Sequence, residues 1–289
     1  MTNKYDKKTE INICHDLNTM LGEAPIRLSL LAKFDHAVNY RSSQGMITIL
    51  PRSRALQPYS VQLTDRGEFD DSGGKTGLVL DSKGLFRENG DTVVSFGTVN
   101  TKDLNLRNSG YPDKNLAPLI RDFLSSRTER GLRTIIESNT GDPLVEFVSP
   151  RLETFREAFV KQDPEEIREA TARLAGCGPG LTPSTDDLLS GYISLLPKKE
   201  PYRSLAGIIA ETAASKTNDI SASLLRRSGE GLFSEDVIRL EKAFTSSDEE
   251  MIRQALNRVA DFGSSSGCDF LTGIYYSVLD SNTKRRNEK

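Results

Sequence analysis

GCGPGLTPSTDDLLSGY, residues 176–192, is the densest run of conformationally special residues in the chain and follows directly on a helical pattern. Glycines at 176, 178 and 180 permit positive φ and close backbone approach. Pro179 and Pro183 fix their own φ and disfavour helix in the residues before them, so the segment through Thr182 reads as a rigid loop. A helix then starts near Ser184. Ser184 and Asp187 have the Ser-x-x-acid spacing of a capping arrangement, and Leu188, Leu189, Tyr192, Leu195 and Leu196 supply the apolar face that follows.

The same pattern returns 82 residues later, where Ser266-Gly-Cys-Asp269-Phe-Leu-Thr-Gly273-Ile matches Ser184-Thr-Asp-Asp187-Leu-Leu-Ser-Gly191-Tyr. The preceding helical segments also pair, Ile167–Gly178 with Ile252–Gly263, at an offset of 85. The first copy thus carries three extra loop residues. This predicts a duplicated helix–loop–helix unit, 163–196 and 248–280, with two helix N-termini that converge on one site. Helix periodicity alone would not require the shared Ser, Asp and Gly.

Outward from these motifs the chain divides by pattern. Before residue 100, short apolar runs alternate with turn signals: Ile26–Phe34, Ala37–Tyr40, Met46–Leu50, Tyr59–Leu63, Leu78–Leu80 and Val93–Phe96. These predict antiparallel strands joined as hairpins. Residues 1–23 read as a polar arm or short helix. Gly74-Lys75-Thr76 suggests a phosphate loop, but Phe69 stands where the first glycine is needed and a strand pattern follows, so a hairpin turn is the better reading. After Asn100, apolar residues recur at three- and four-residue spacing over Leu116–Ser125, Arg130–Glu137, Leu152–Val160, Glu165–Ala175, Ser184–Leu196, Tyr202–Ala214, Ile220–Arg227, Ser234–Ala243, Glu249–Asp261 and Gly267–Leu279. The expected architecture is α+β, a β-rich antiparallel region over residues 1–120 and a helical region over 121–289.

Composition narrows the function classes. The 289 residues carry 38 basic and 41 acidic side chains, a net charge of −3, which gives no global electrostatic case for nucleic acid or an anionic membrane. No apolar run approaches a spanning helix and the N-terminus has no apolar leader, so a cytoplasmic protein is expected. Cys14, Cys177 and Cys268 are isolated, which indicates neither a disulfide framework nor a zinc knuckle.

Helix N-termini offer free N–H groups and the positive end of the macrodipole, a ready site for an anion. Three such ends carry hydroxyl or amide side chains: Thr182 with Ser184, Asn218 with Ser221, and Ser264–Ser266. Their convergence would cradle a phosphate or carboxylate, with Gly178, Gly180, Thr182, Ser184, Asp187, Asn218, Ser221, Ser266 and Asp269 as ligand-binding residues. Two carboxylates would repel that anion unless roles divide. In this reading Asp187 and Asp269 cap their helices, a role that is structural alone if they touch no ligand. Asp186 has Cys268 as its counterpart, so capping does not explain it. It is the candidate catalytic residue, facing a cation, an –NH2 donor or Mg2+. Gly191 and Gly273 read as helix-packing points. Cys177 and Cys268 lie in the motif regions but have no base nearby in sequence, and His36 reads as a satisfied polar side chain in the β region.

The motif Gly176–Gly191, followed by Asn218-Asp-Ile-Ser221 and Gly263-Ser-Ser-Ser-Gly-Cys-Asp269-Phe-Leu-Thr-Gly273, resembles the AllH-type bacterial family, a subunit of the oxamate carbamoyltransferase of anaerobic allantoin breakdown. His36-Ala-Val-Asn39 and the Gly45–Leu50 strand also fit that family. Thr185 stands where the family usually has Gly, and Ser264 where it usually has His, so no role of that His carries over. The resemblance implies a carbamoyltransferase subunit in purine-nitrogen catabolism, with other protein subunits as partners and a small-molecule anion as ligand. Carbamoyl phosphate would offer an anion to the helix ends and an –NH2 to a carboxylate. The alternative is a non-catalytic anion-binding or assembly subunit, which the lack of a nucleophile–base pair favours. A stand-alone metal-dependent phosphohydrolase would need more clustered His and Asp.

Overall fold

The computed structural model describes residues 8–64, 77–106, 116–137, 141–197, 199–246 and 248–287, the last of these without the side chains beyond Ser281. The phosphate-loop-like stretch 70–76 lies outside the described residues. The chain forms two compact units that meet in sequence at Leu104 and Asn105.

The first unit is a closed barrel. Among the described residues its strands are β1 (Thr9–Cys14), β2 (Ile26–Phe34), β3 (Ala37–Ser42), β4 (Gly45–Pro51), β5 (Ser60–Thr64), β6 (Leu78–Asp81), β7 (Gly84–Arg87) and β8 (Thr92–Lys102), with helix α1 (His15–Glu23) after the first. They close in the order β1-β5-β4-β3-β2-β6-β7-β8. The antiparallel expectation needs correction, because β1 runs parallel to β8 and β4 runs parallel to β5. The physical reason lies in burial. Ile47 to Leu50 and Ser60 to Leu63 are buried without interruption, the pattern of strands covered on both faces, where parallel pairing is tolerated. The 52–59 connection is no tight turn; it tucks Leu56 fully into the core.

In the stretch read as a polar arm or short helix, the helix is α1 and the unexpected element is β1. Ile11 and Ile13 are fully buried, and their register with Val99 and Thr101 comes from a partner strand nearly the whole unit away in sequence. A six-residue strand with two apolar anchors leaves little local signal. Inside the barrel wall the Thr48 hydroxyl donates to Asn39 Oδ1 at 2.9 Å, which satisfies both buried polar groups.

The second unit is helical: α2 (Ala117–Ser125), a 3-10 turn (Leu132–Ile135), α3 (Pro143–Lys161), α4 (Pro164–Leu174), α5 (Ser184–Ser194), α6 (Tyr202–Ala214), α7 (Asp219–Gly229), α8 (Glu235–Phe244), α9 (Glu249–Ala260) and α10 (Ser266–Asn287). Side-chain caps start many of these helices. Asp142, Asp163, Asn218, Ser234 and Asp248 each accept from backbone N–H groups of the first turn. Two expected helices changed form. Within residues 130–137 the chain makes only a short 3-10 turn, Leu132–Ile135, and α3 begins at Pro143, running through Pro150 where the sequence pattern started only at Leu152.

The centre of this unit is the contact between α5 and α10. A Cβ built on Gly191 would lie 1.9 Å from the Phe270 carbonyl oxygen, and one on Gly273 would lie 1.9 Å from the Leu188 carbonyl oxygen. The two backbones therefore touch, and only glycine fits at either point. Beside them Tyr192, fully buried, packs edge-on against Phe155 and Phe159 of α3. Its hydroxyl donates to Asp280 at 2.9 Å, and Arg156 grips the same carboxylate with contacts of 2.6 and 3.2 Å.

These contacts make a sharp prediction. Gly191→Ala and Gly273→Ala each force the helices apart and cost about 3 kcal/mol or more through overpacking. Gly207→Ala, at a helical position with open space around its Cβ, should stabilise by roughly 0.5–1 kcal/mol. Urea denaturation of the three variants measures the contrast.

Candidate functional site

The site is built on the start of α5 and α10. Thr182 Oγ1 and Ser266 Oγ lie 2.9 Å apart, which brings the two N-terminal ends together, while the Tyr192–Asp280 bond joins the later turns. The two helices therefore run side by side in the same direction. Their macrodipoles add at the shared N-terminal end, so negative charge is favoured there.

The contacts across the pair are reciprocal. Gly191 meets Phe270 while Gly273 meets Leu188, and these four positions correspond under the 82-residue offset. The Ser184 hydroxyl lies beside Asp269, and the Ser266 hydroxyl beside Asp187, each favouring the ionised carboxylate of the other helix. The Ser-x-x-Asp spacing thus serves a cross-helix exchange, joined by Thr182 beside Asp187 and Ser265 beside Asp269 from their own helix starts. This corrects the capping expectation for Asp187: α5 has Pro183 at its N-cap and no side-chain cap bond. The helices before the two loops correspond as well. Ile167, Ala170, Leu174 and Ala175 are buried, and so are Ile252, Ala255, Val259 and Ala260, while Asp163 and Asp248 cap the two helices alike.

Asp186 holds the glycine-rich loop. It is almost fully buried; its Oδ1 accepts from Gly176 N–H at 2.7 Å and its Oδ2 from the Ser221 hydroxyl at 2.7 Å. Asn218 caps α7 through Ile220 N–H and Ser221 N–H, both at 3.1 Å, and its amide donates to the Leu181 carbonyl at 2.9 Å. The structure thereby brings Asp186, Asn218 and Ser221 together with the loop. Gly178, at φ +120°, leaves no room for a Cβ, which would meet Ser184 N at 2.7 Å; Gly180 needs its glycine only for a positive φ.

The first-turn donors of α5 are largely consumed by the protein itself. Thr185 N–H donates to Cys177 O at 3.0 Å, and Asp186 and Asp187 N–H donate to Pro183 O at 2.8 and 3.3 Å. On α10, Gly267 N–H donates to Phe262 O at 3.0 Å and Asp269 N–H to Ser265 O at 2.9 Å. What remains in surplus is acceptors. Asp187 Oδ2 and Asp269 Oδ2 are both buried and have no hydrogen-bond partner. Burial pushes Asp187 well above the usual carboxylate range, and the nearby charge of Asp269 adds to that rise against the pull of Ser266 and Thr182. Asp269 is pushed up to about 6 by burial, opposed by the Leu132 N–H and by the hydroxyls of Ser184 and Ser265.

The two aspartates are not equivalent. Asp269 Oδ1 accepts from Leu132 N–H at 2.6 Å and fits against Gly131, whose φ of +128° leaves the space. Sequence reasoning missed this contribution of the 3-10 turn, since nothing in residues 130–137 distinguishes it from an ordinary helical run. Cys177 and Cys268 both have thiols raised by burial, Cys268 to about 11, so neither is a thiolate nucleophile at neutral pH. His36 sits in the turn between β2 and β3 of the barrel unit, and Ser264 is exposed in the loop before α10. Among the described residues no group of three or more His, Cys, Asp or Glu is placed to hold a metal ion, and no helix is long and apolar enough to cross a membrane.

The two helix starts meet in a polar junction where the Thr182 and Ser266 hydroxyls are hydrogen-bonded beside Asp187 and Asp269. The family model described as oxamate carbamoyltransferase subunit AllH matches residues 174–278, from the end of α4 well into α10. That is the family the motifs resemble, and the matched segment encloses both motifs; it does not extend to residues 36–50. No solved structure matches the chain significantly.

The raised Asp269 gives a pH signature. Its folded-state pKa lies above the unfolded value of 3.8, so its stabilising contribution is complete below about pH 4 and is lost as pH rises through about 6. Asp269→Asn keeps the acceptor for Leu132 N–H and abolishes that loss, which amounts to on the order of 3 kcal/mol for a two-unit shift. Urea midpoints should therefore fall from pH 4 to pH 7 in the wild type more steeply than in the variant. Asp186→Ala, which orphans the Gly176 and Ser221 donors, should cost about 2–3 kcal/mol in urea denaturation at neutral pH.

Proposed function

We propose that the chain is one subunit of a carbamoyltransferase acting on oxamate and carbamoyl phosphate, and that it contributes ligand binding at the α5–α10 junction. The carrying observation is the family match over residues 174–278, which encloses both Ser-x-x-Asp motifs and the loop they anchor. The junction supplies hydroxyls at Thr182 and Ser266 for a phosphate or carboxylate, and buried carboxylates for a nitrogen-bearing group. Asp186 keeps the loop in the shape that presents them. The reciprocal contacts support the further reading that residues 163–196 and 248–280 are copies of one helix–loop–helix unit.

The junction positions a ligand but holds no base of ordinary strength beside a nucleophile, and carbamoyl exchange needs proton transfers. Partner subunits complete the reaction in this reading, in keeping with a family described as a subunit. The purified chain should bind oxamate or carbamoyl phosphate calorimetrically and show little carbamoyl transfer until its partners are added. Full turnover by the lone polypeptide would reject the assembly. A non-catalytic anion-binding subunit is the second reading, favoured by the same lack of a base; it requires that Asp187 and Asp269 substitutions leave turnover by the assembled enzyme unchanged.

A further inference from the structure

We propose that Asp187 and Asp269 together form the subsite for the –NH2 group of a primary amide or carbamoyl ligand, with their Oδ2 atoms as the acceptors. This rests on the functional reading above and adds to it the residues and the chemistry that would select the ligand. The starting observation is an imbalance. Both Oδ2 atoms are buried without a hydrogen-bond partner, and Asp269 is fully buried as a residue. A buried acceptor left in this state costs the desolvation of the group, and two at one junction call for a donor that bridges them.

The candidates for that donor differ in charge. A negatively charged group set directly against the two Oδ2 atoms is repelled by the carboxylates, and the N–H groups that would hold it on α5 already donate to Cys177 and Pro183 carbonyls. A metal ion would find only two acidic ligands, with no third acid, His or Cys grouped with them among the described residues, and would sit at the positive ends of two helices. A neutral –NH2 supplies two N–H bonds, adds no positive charge beside those helix ends and matches the two acceptors in number. Asp186 is unsuited to the task, because both its oxygens already accept from Gly176 and Ser221.

Two small ligands isolate this claim. Oxamate and pyruvate share a carboxylate, a ketone-like carbonyl and size, and differ in carrying –NH2 or –CH3. Calorimetric titration of the full chain should show oxamate binding ten- to a hundred-fold more tightly than pyruvate, the range expected for hydrogen bonds to a charged group. Asp187→Asn and Asp269→Asn should each abolish the preference, so that oxamate and pyruvate bind the variant equally. Equal affinity of the wild type for the two ligands overturns the subsite, and this comparison does not depend on either variant folding. Retention of the oxamate preference in both folded variants overturns it too. So does Mg2+ alone binding saturably and losing that binding in the variants. If neither small ligand binds, the subsite fails, whereas carbamoyl transfer restored by added partner subunits would show that the wider functional reading stands without it.

Discussion

The backbone contact between α5 and α10 is the constraint on which the helical unit depends. Helices that run in the same direction with their N-terminal ends together have unfavourably aligned dipoles, and this pair also lacks side-chain spacing at its closest points. Gly191 and Gly273 make the approach possible, and the Tyr192–Asp280–Arg156 cluster ties the later turns to α3. At the other end Asp187 and Asp269 place carboxyl oxygens where the dipoles concentrate positive charge. The aspartates thus answer an electrostatic problem created by the glycines, and their burial is what raises their pKa values. Packing and site chemistry are here one arrangement seen from its two ends.

Much of this site is legible in the residues. The loop glycines and prolines, the start of α5 at Ser184 and the recurrence of Ser, Asp and Gly at the same spacing all follow from local chemistry. What the spacing does not reveal is where each side chain goes. Ser184 and Asp187 have the geometry of a local cap, yet Pro183 takes the cap position and each Ser turns to the other helix. Asp186, singled out because capping could not explain it, is anchored by Gly176 and by Ser221 from a helix thirty-five residues on. Leu132 enters from still further away. Tertiary partners of this kind have no footprint in a helical pattern.

The barrel shows the same limit in another form. Strands β2 to β6 and β8 announce themselves through apolar runs and turn residues. Closure does not, because it depends on β1, whose partners are β5 and β8 and whose own alternation rests on Ile11 and Ile13. Two parallel pairings follow from that closure and from the folded-in 52–59 connection, neither of which a hairpin reading contains.

Closure also decides how the first unit can meet other molecules. In an open sheet the outermost strands carry unpaired N–H and C=O groups to which a foreign strand can add. Here each strand has a neighbour on both sides around the ring, from β1 through β8 and back. Among the described residues the ring therefore has no outermost strand of that kind. What the ring presents instead is its side chains, among which Leu30 and Phe34 of β2 stand exposed.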